Sequence, residues 1–441
     1  MPISIQIHQS TRFHYLTYFW TMNKIWMHIS TCLCLLMTFT VTQGQNRCGS
    51  EYVEHLSASH NPNFTQQKEA TERAIADAIR NPSLSLRNEL YIPVVVHVVY
   101  YEDFEKISDE QIASQIELLN ADFSALLIPA GIPGEFANLY EDVGIRFCLA
   151  KNDPEGNPTN GITYNATNIK NIGLKVDESG RKKVQHGFLG GADAWPTDKY
   201  LNIWVCRLDE FLGYATRPGG SFFSGEDGVV INYTNFGNIG TVNPKGPYNL
   251  GRTTTHEVGH YFGLLHLWGE NANGCGDDLV EDTPQQGTPH YGCPNYPQLS
   301  CMNSNMFMNF MDYTDDKCMF MFTPGQGQRM RATLESTRNL LLNGENTHCD
   351  QFNDPIEGLA KRMKLLQSVV KDEVILVQDA GYKEVIHVTI YDMSGRELKK
   401  LVKISQQKII IDLENEFAPG MYILNVRTKK EHFAFKFLII K

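Results

Sequence analysis

The 441-residue sequence predicts an α+β chain: a twisted mixed sheet with a helix packed on it, a loop-rich C-terminal subdomain, then a small all-β sandwich. Three observations predict this. Valine-rich strand-like runs and a run of helical spacing succeed one another up to about residue 266. From 267 to 322 the chain turns to Gly, Pro, Asn and Asp and holds four cysteines. Beyond about 365 it becomes short apolar runs joined by turns.

The elements follow in order. From Met22, "MNKIWMHISTCLCLLMTFTVTQGQ" has an early lysine, an apolar run and small or polar residues near Gly44. That is a signal-peptide layout, so residues 1–44 are expected to be a leader with its true start at Met22. The apolar run is too short to favour a membrane span, and none is expected in the mature form. Residues 45–87 are polar and helix-prone, as in "QQKEATERAIADAIRNPSLSLRNEL". "YIPVVVHVVYYE" reads as a strand. "ISDEQIASQIELLNADFS" repeats apolar residues at helical spacing behind a Ser108 cap. "VGIRFCLA", "YLNIWVCRL" and "DGVVINY" are further strands. "TPGQGQRMRATLESTRNLLLNG" is a late helix closed by Gly344. The expected division is 45–87 pro-segment, 88–345 main domain, 346–364 linker and 365–441 β module.

Bulk numbers bound the partners. Hydrophobic residues make up 42% and charged residues 20%, ordinary for a globular chain. The net charge of −11 makes nucleic acid an unsuitable partner. Of ten cysteines, Cys32 and Cys34 fall in the leader. The eight left in an exported chain invite disulfides.

"THEVGHYFGLLHLWG", residues 255–269, carries the chemistry. On a helix, residues four apart share a face, so His256 and His260 can aim two imidazoles at one point. His266, six residues on, lies nearly opposite on the wheel. Gly263 can take the positive φ that ends the helix and returns His266 to the other two. Three neutral imidazoles plus one water make a catalytic Zn²⁺ site with an open position. Zinc lowers the pKa of its water to roughly 7. Glu257 is placed to take that proton and pass it to a leaving amine. The alternative is a packed helix carrying unrelated histidines.

A second stretch, "SNMFMNFMDYTDDKCMFMFTPGQGQRM", places Met311-Asp312-Tyr313 after the third histidine. It resembles the Met-turn of metzincin metalloproteases. With "GADAWPTDKYLNIWVC", "LGRTTTHEVGHYFGLLH" and "GCGDDLVEDTPQQ", residues 90–342 look most like the pappalysin family. The resemblance implies a metzincin fold, zinc on His256, His260 and His266, Glu257 as general base and acid, and Met311 as the hydrophobic base under the metal. It implies that Tyr313 is a phenol that swings to steady the oxyanion. Without the histidine motif, core filling for Met311 and a buried aromatic with a satisfied hydroxyl for Tyr313 are the preferred readings.

Cys275, Cys293, Cys301 and Cys318 allow three connectivities, and a second zinc site is a rival reading. The resemblance favours Cys275–Cys301 and Cys293–Cys318. Cys148 and Cys206 sit in two strands and pair if those strands are neighbours; otherwise they are small buried hydrophobes. Cys349 has no obvious partner. The oxygens of "CGDDLVEDTPQQ" suit Ca²⁺, and the resemblance places it at Asp278 and Thr283. Lys317 lies on the loop expected to form a specificity pocket, where it would favour an acidic or neutral substrate residue and repel a basic one; the alternative is an ordinary surface lysine. Cys48 follows the leader directly. A thiolate there can hold the zinc as a cysteine switch, with Arg80 or Arg87 the activating cut; a disulfide with Cys349 or a lone thiol is the alternative.

The tail strings "VTIYDMSGRELKK", "IDLENEFAPGMYILNVRT" and "FKFLIIK" resemble the C-terminal sorting domain of the type IX secretion system. The expectation is therefore a secreted, zinc-dependent endopeptidase with protein or peptide substrates, exported by secretion machinery that reads the tail. Two alternatives stay open: a non-catalytic, metal-stabilised adhesion module carried by the same tail, and a hydrolase of non-peptide amides.

Overall fold

A computed structural model describes residues 46–83, 89–125, 133–221, 223–269 and 274–342, and most of 363–439. The leader, Arg87, Gly344 and Cys349 lie outside the described residues. In chain order the elements that build the site are β1 (Asn46–Cys48), α1 (Ser50–His60), α2 (Phe64–Arg80), β2 (Leu90–Tyr100), α3 (Asp109–Phe123), β3 (Ile145–Leu149) and β4 (Ile162–Ala166). They continue with β5 (Leu201–Cys206), β6 (Phe211–Ala215), β7 (Val229–Asn232), α4 (Arg252–Tyr261) and α5 (Pro324–Ser336).

β2 is buried on both faces over nearly its whole length, which explains its unbroken apolar run. It pairs in parallel with β3 through its first half, β4 through its second half and β5 on the other side. The sheet order is β1-β6-β7-β5-β2-β3, with β4 also on β2. β6 alone runs antiparallel to its inner neighbour, β7. β1 adds to the outer edge of β6 in parallel, pairing Asn46 with Phe211 and Cys48 with Gly213. The outer edge of β6 is thereby covered by the chain's own N-terminal strand.

α3 begins where Ser108 caps it, its Oγ accepting from the Gln111 N–H at 3.3 Å. Its apolar stripe, Ile112, Ile116, Leu119 and Phe123, packs into the main core. Phe123 meets Phe147 and Phe322 edge-on at centroid distances of 4.8 and 4.9 Å. Burying one such ring contributes about 1.5–3 kcal/mol. α4 has an unusual sequence for a core helix, yet all ten of its residues are buried. Its polar groups find partners on α3: Thr254 Oγ1 donates to Gln115 Oε1 at 2.9 Å, Thr255 Oγ1 to Asp122 Oδ2 at 2.7 Å, and Arg252 pairs with Asp122 at 3.0 Å.

One expectation needs correction. α5 starts with Thr323 in a capping box and Pro324 at its first position, but it ends at Ser336 rather than near Gly344. Arg338 is drawn back over Tyr261, donating to the Tyr261 carbonyl at 2.9 Å and pairing with Asp227, and this bends the chain off the helix axis. Cys148 and Cys206 do not pair. β3 and β5 lie on opposite sides of β2, Cys148 is disulfide-bonded elsewhere and Cys206 is a buried free thiol.

The C-terminal module is a sandwich. A three-stranded sheet (Met363–Leu365, Glu373–Gln378, Lys408–Asp412) faces a five-stranded one built around Val385–Asp392, Gly420–Arg427 and His432–Ile439. Val374, Leu376, Ile409 and Ile411 of the first share a core with Val388, Ile390, Leu424 and Phe437 of the second.

Candidate metal centre and active site

α4 delivers His256 and His260 on one face, and Gly263 brings His266 back. Gly263 has φ +88°, and a side chain there would come within 2.7 Å of Thr333 Oγ1. Its N–H donates to the His260 carbonyl at 2.9 Å, and the Leu264 N–H to Gly259 at 3.0 Å, which closes the helix. One ligand atom from each of His256, His260, His266 and Cys48 lies within 4.8 Å of every other, and all four residues cluster with no ion present.

The outer nitrogens set the tautomers. His256 Nδ1–H donates to the Phe310 carbonyl at 2.7 Å, and His260 Nδ1–H to the Leu264 carbonyl at 2.8 Å. His266 Nδ1–H donates to the Glu51 carboxylate at 3.0 Å. All three Nε2 atoms therefore carry lone pairs. Those of His260 and His266 face each other at 3.1 Å, and that of His256 is buried with no hydrogen-bond partner. Burial and mutual proximity push His256 and His260 well below the ordinary histidine range, so they are neutral. Lone pairs converging in a buried pocket are unfavourable unless a cation sits among them, and the donor set is that of zinc.

Glu257 is fully buried, and desolvation pushes its carboxyl up to about 7. Its Oε2 accepts from Ser50 Oγ at 2.8 Å and from Cys48 Sγ at 3.4 Å. Met311 lies beneath α4: a Cβ on Gly259 would fall 2.6 Å from its sulfur. Tyr313 donates its hydroxyl to His266 Nε2 at 3.1 Å, and burial pushes the phenol well above its usual range. Asp312 anchors this turn from inside, accepting from the backbone of His290 and Tyr313 and from Gln286 Nε2 at 2.6–2.7 Å.

The N-terminal strand and helices reach into this centre. Arg47, next to Cys48, is 2% exposed; it donates to the Thr314 carbonyl at 2.7 Å, lies 3.5 Å from Asp316 Oδ1 and sits over the Tyr248 ring at 4.6 Å. Glu54 pairs with Arg217 at 3.0 Å. Glu72 takes two bonds from Arg329, whose Nε donates to the Gly263 carbonyl at 2.7 Å. Cys48 is a free thiol, so it is not bridged to Cys349. Burial and the Glu257 carboxylate push this thiol up, so the sulfur is neutral unless a cation sits beside it.

Cys275 is joined to Cys301 and Cys293 to Cys318. Asp278 is buried, its carboxyl pushed up to about 7, with both oxygens 2.8 Å from Thr283 Oγ1. Arg80 ends α2 in an exposed pair with Asp77. The Lys317 side chain is 68% exposed, with its ammonium 3.9 Å from Asp315. The neighbouring Asp316 is buried, 3.5 Å from Arg47. The sequence reading passed over Arg47, Ser50, Glu51, Arg217 and Asp316. Arg47, Ser50 and Glu51 adjoin Cys48 and Asp316 follows the Met311-Asp312-Tyr313 turn, whereas nothing near Arg217 in the chain marks it.

Comparison with known proteins settles the family. Residues 190–335 match the Peptidase_M43 model, pregnancy-associated plasma protein-A. The extracellular metalloprotease of Arthroderma gypseum is 31% identical over 296 residues, 65% of this chain and 83% of the relative. The chain belongs to the pregnancy-associated plasma protein-A family of peptidases. Two solved structures from Tannerella forsythia agree with that membership. Mature mirolysin in complex with a cleaved peptide is 44% identical, with a TM-score of 0.56, over 60% of this chain and 99% of that one. A promirolysin mutant is 41% identical, with a TM-score of 0.60, over 67% and 97%. Residues 370–441 match a secretion system C-terminal sorting domain. This member of the family is thus a secreted zinc endopeptidase with a metzincin catalytic domain, exported by type IX secretion through a β-sandwich tail. No helix among the described residues is long and apolar enough to cross a membrane.

Proposed function

We propose that His256, His260 and His266 hold the catalytic zinc through Nε2, and that Glu257 is the general base and acid for peptide-bond hydrolysis. The facing lone pairs of His260 and His266 at 3.1 Å carry this reading. When bound, zinc supplies Lewis acidity for a water and for the scissile carbonyl. Glu257, with its carboxyl raised to about 7, accepts a proton at Oε2 and returns it to the departing amine. Tyr313 stays protonated and donates its hydroxyl to the oxyanion. Met311 supports α4 from below.

Residues 45–87 act as the pro-segment, 88–345 as the catalytic domain, 346–364 as a linker and 365–441 as the sorting module. Cys48 is the latency ligand, supported by its place in the histidine cluster. Activation cuts at Arg80 or Arg87 release it. Arg47 occupies the specificity pocket, so a substrate residue seated there meets the buried Asp316 carboxylate; Lys317, out in solvent, repels it little. The pocket therefore takes a basic side chain. Calcium at Asp278 and Thr283 is supported by a buried carboxyl whose ionisation needs a partner.

The test is a processed protein against a peptide library, with Glu257→Ala beside it. Cleavage next to arginine or lysine, abolished in Glu257→Ala while zinc is retained, is the expected result. Hydrolysis that survives Glu257→Ala would sink the mechanism, and selection of acidic residues in the pocket would sink the Asp316 assignment. A melting temperature that Ca²⁺ raises in the wild type and not in Asp278→Asn checks the calcium site.

A further inference from the structure

The three imidazoles of the centre are not oriented by the same part of the chain. His256 and His260 are held by the carbonyls of Phe310 and Leu264. Both carbonyls belong to the catalytic domain and stay when the N-terminal segment leaves. His266 is held at Nδ1 by Glu51 Oε1, in the first turn of α1. Glu51 is fixed there from both sides. Ser50 Oγ accepts the Ala215 N–H at 2.9 Å, and Val53, 3% exposed, packs in a core cluster with Trp204 and Tyr214.

We propose that Glu51 is a positioning residue for His266, so that the pro-segment holds the zinc in the centre by a route separate from Cys48. The proposal rests on the metal-site reading above. Trp268 stacks on His266 at 4.5 Å with an interplanar angle of 8°, which fixes the ring plane. A half-turn about the Cβ–Cγ bond keeps that plane but exchanges Nε2 with a carbon. Stacking therefore selects neither the flip nor the tautomer, and a carboxylate on Nδ1–H selects both. Tyr313 touches Nε2 itself, so its hydroxyl competes with a cation for that lone pair and cannot take over the task. Removing an outer-shell partner of a metal-bound histidine typically costs about 10–100-fold in metal affinity. Glu51 is 43% exposed, and water can replace it in part, so about tenfold is expected here.

The full-length zymogen, loaded with zinc and titrated with a competing chelator, tests this. The measurements are zinc retained and the melting temperature of the metal-free chain. Glu51→Ala should lose zinc at about tenfold lower chelator than the wild type, with an unchanged metal-free melting temperature. Glu51→Gln, which can still accept from Nδ1–H, should fall between the two. Cys48→Ser should weaken retention further when combined with Glu51→Ala, down to the level of the processed enzyme. Wild-type retention in Glu51→Ala, or a Gln variant no better than the Ala variant, overturns the proposal. His260→Ala is the control: if it keeps zinc as the wild type does, the metal-site reading itself fails, which is a distinct result.

Discussion

The sulfur of Met311 lies 2.6 Å from the point where a Cβ on Gly259 would stand. Gly259 sits inside α4, where alanine would ordinarily gain up to about 1 kcal/mol in helix propensity. Overpacking a core typically costs about 1–3 kcal/mol, so the steric term wins. Gly259→Ala is expected to lower the melting temperature and to loosen zinc retention, because His260 is its neighbour. A variant as stable as the wild type, with zinc held equally well, would show that Met311 yields without disturbing the helix.

Latency has more than one anchor. Cys48→Ala removes the sulfur but leaves the β1–β6 pairing, the buried Arg47 and the Glu54–Arg217 pair. The unprocessed Cys48→Ala protein should therefore gain partial activity, and Arg47→Ala added to it should raise activity further. Initial rates on a short fluorogenic peptide before processing give the answer. No activity in either variant would mean that steric cover alone keeps the enzyme silent.

Arg329 joins the Gly263 carbonyl to Glu72 on α2. A hydrogen bond to a charged group is worth about 1.5–3 kcal/mol, with the lower end apt for the half-exposed Glu72. Glu72→Ala should then speed pro-segment release on the order of tenfold, more so at low salt, and leave the processed enzyme unchanged. Time courses of processing at two ionic strengths measure it.

Tyr313→Phe removes a donor from the centre without emptying its space. The loss should fall on kcat, about 10²-fold, with KM nearly unchanged. A change confined to KM would place Tyr313 in binding rather than in stabilising charge.

His97 gives a pH dependence remote from the chemistry. It is buried between Trp195 and Trp204, bonded to Thr163 and Asn202, and burial lowers it to about 4. The unfolded chain binds the proton from about pH 6.5 downward and the folded chain only near 4, so stability is full above 6.5 and falls as pH drops through that window. The cost by pH 4 is about 3 kcal/mol. Urea midpoints between pH 7 and 4 should fall more steeply for the wild type than for His97→Gln.

The sequence by itself determined the clustering of the three histidines, the glycine that returns the third of them, the place of Glu257 beside the first and the β character of the tail. These rest on local periodicity and on one positive φ, which neighbouring residues set. Only the tertiary structure decided the rest. β6 was not foreseen, because "FLGYA" is short, and its edge matters only once β1 lies along it. Glu51, Arg47 and Asp316 looked like solvated charges, since nothing near them in the chain demands a partner. Their partners lie more than two hundred residues away in the sequence. Lys317 and Asp316 are neighbours in a short 3-10 turn, yet Lys317 is exposed while Asp316 is buried against Arg47. Contacts across such separations depend on how the sheet and helices pack, and no window along the sequence carries that information.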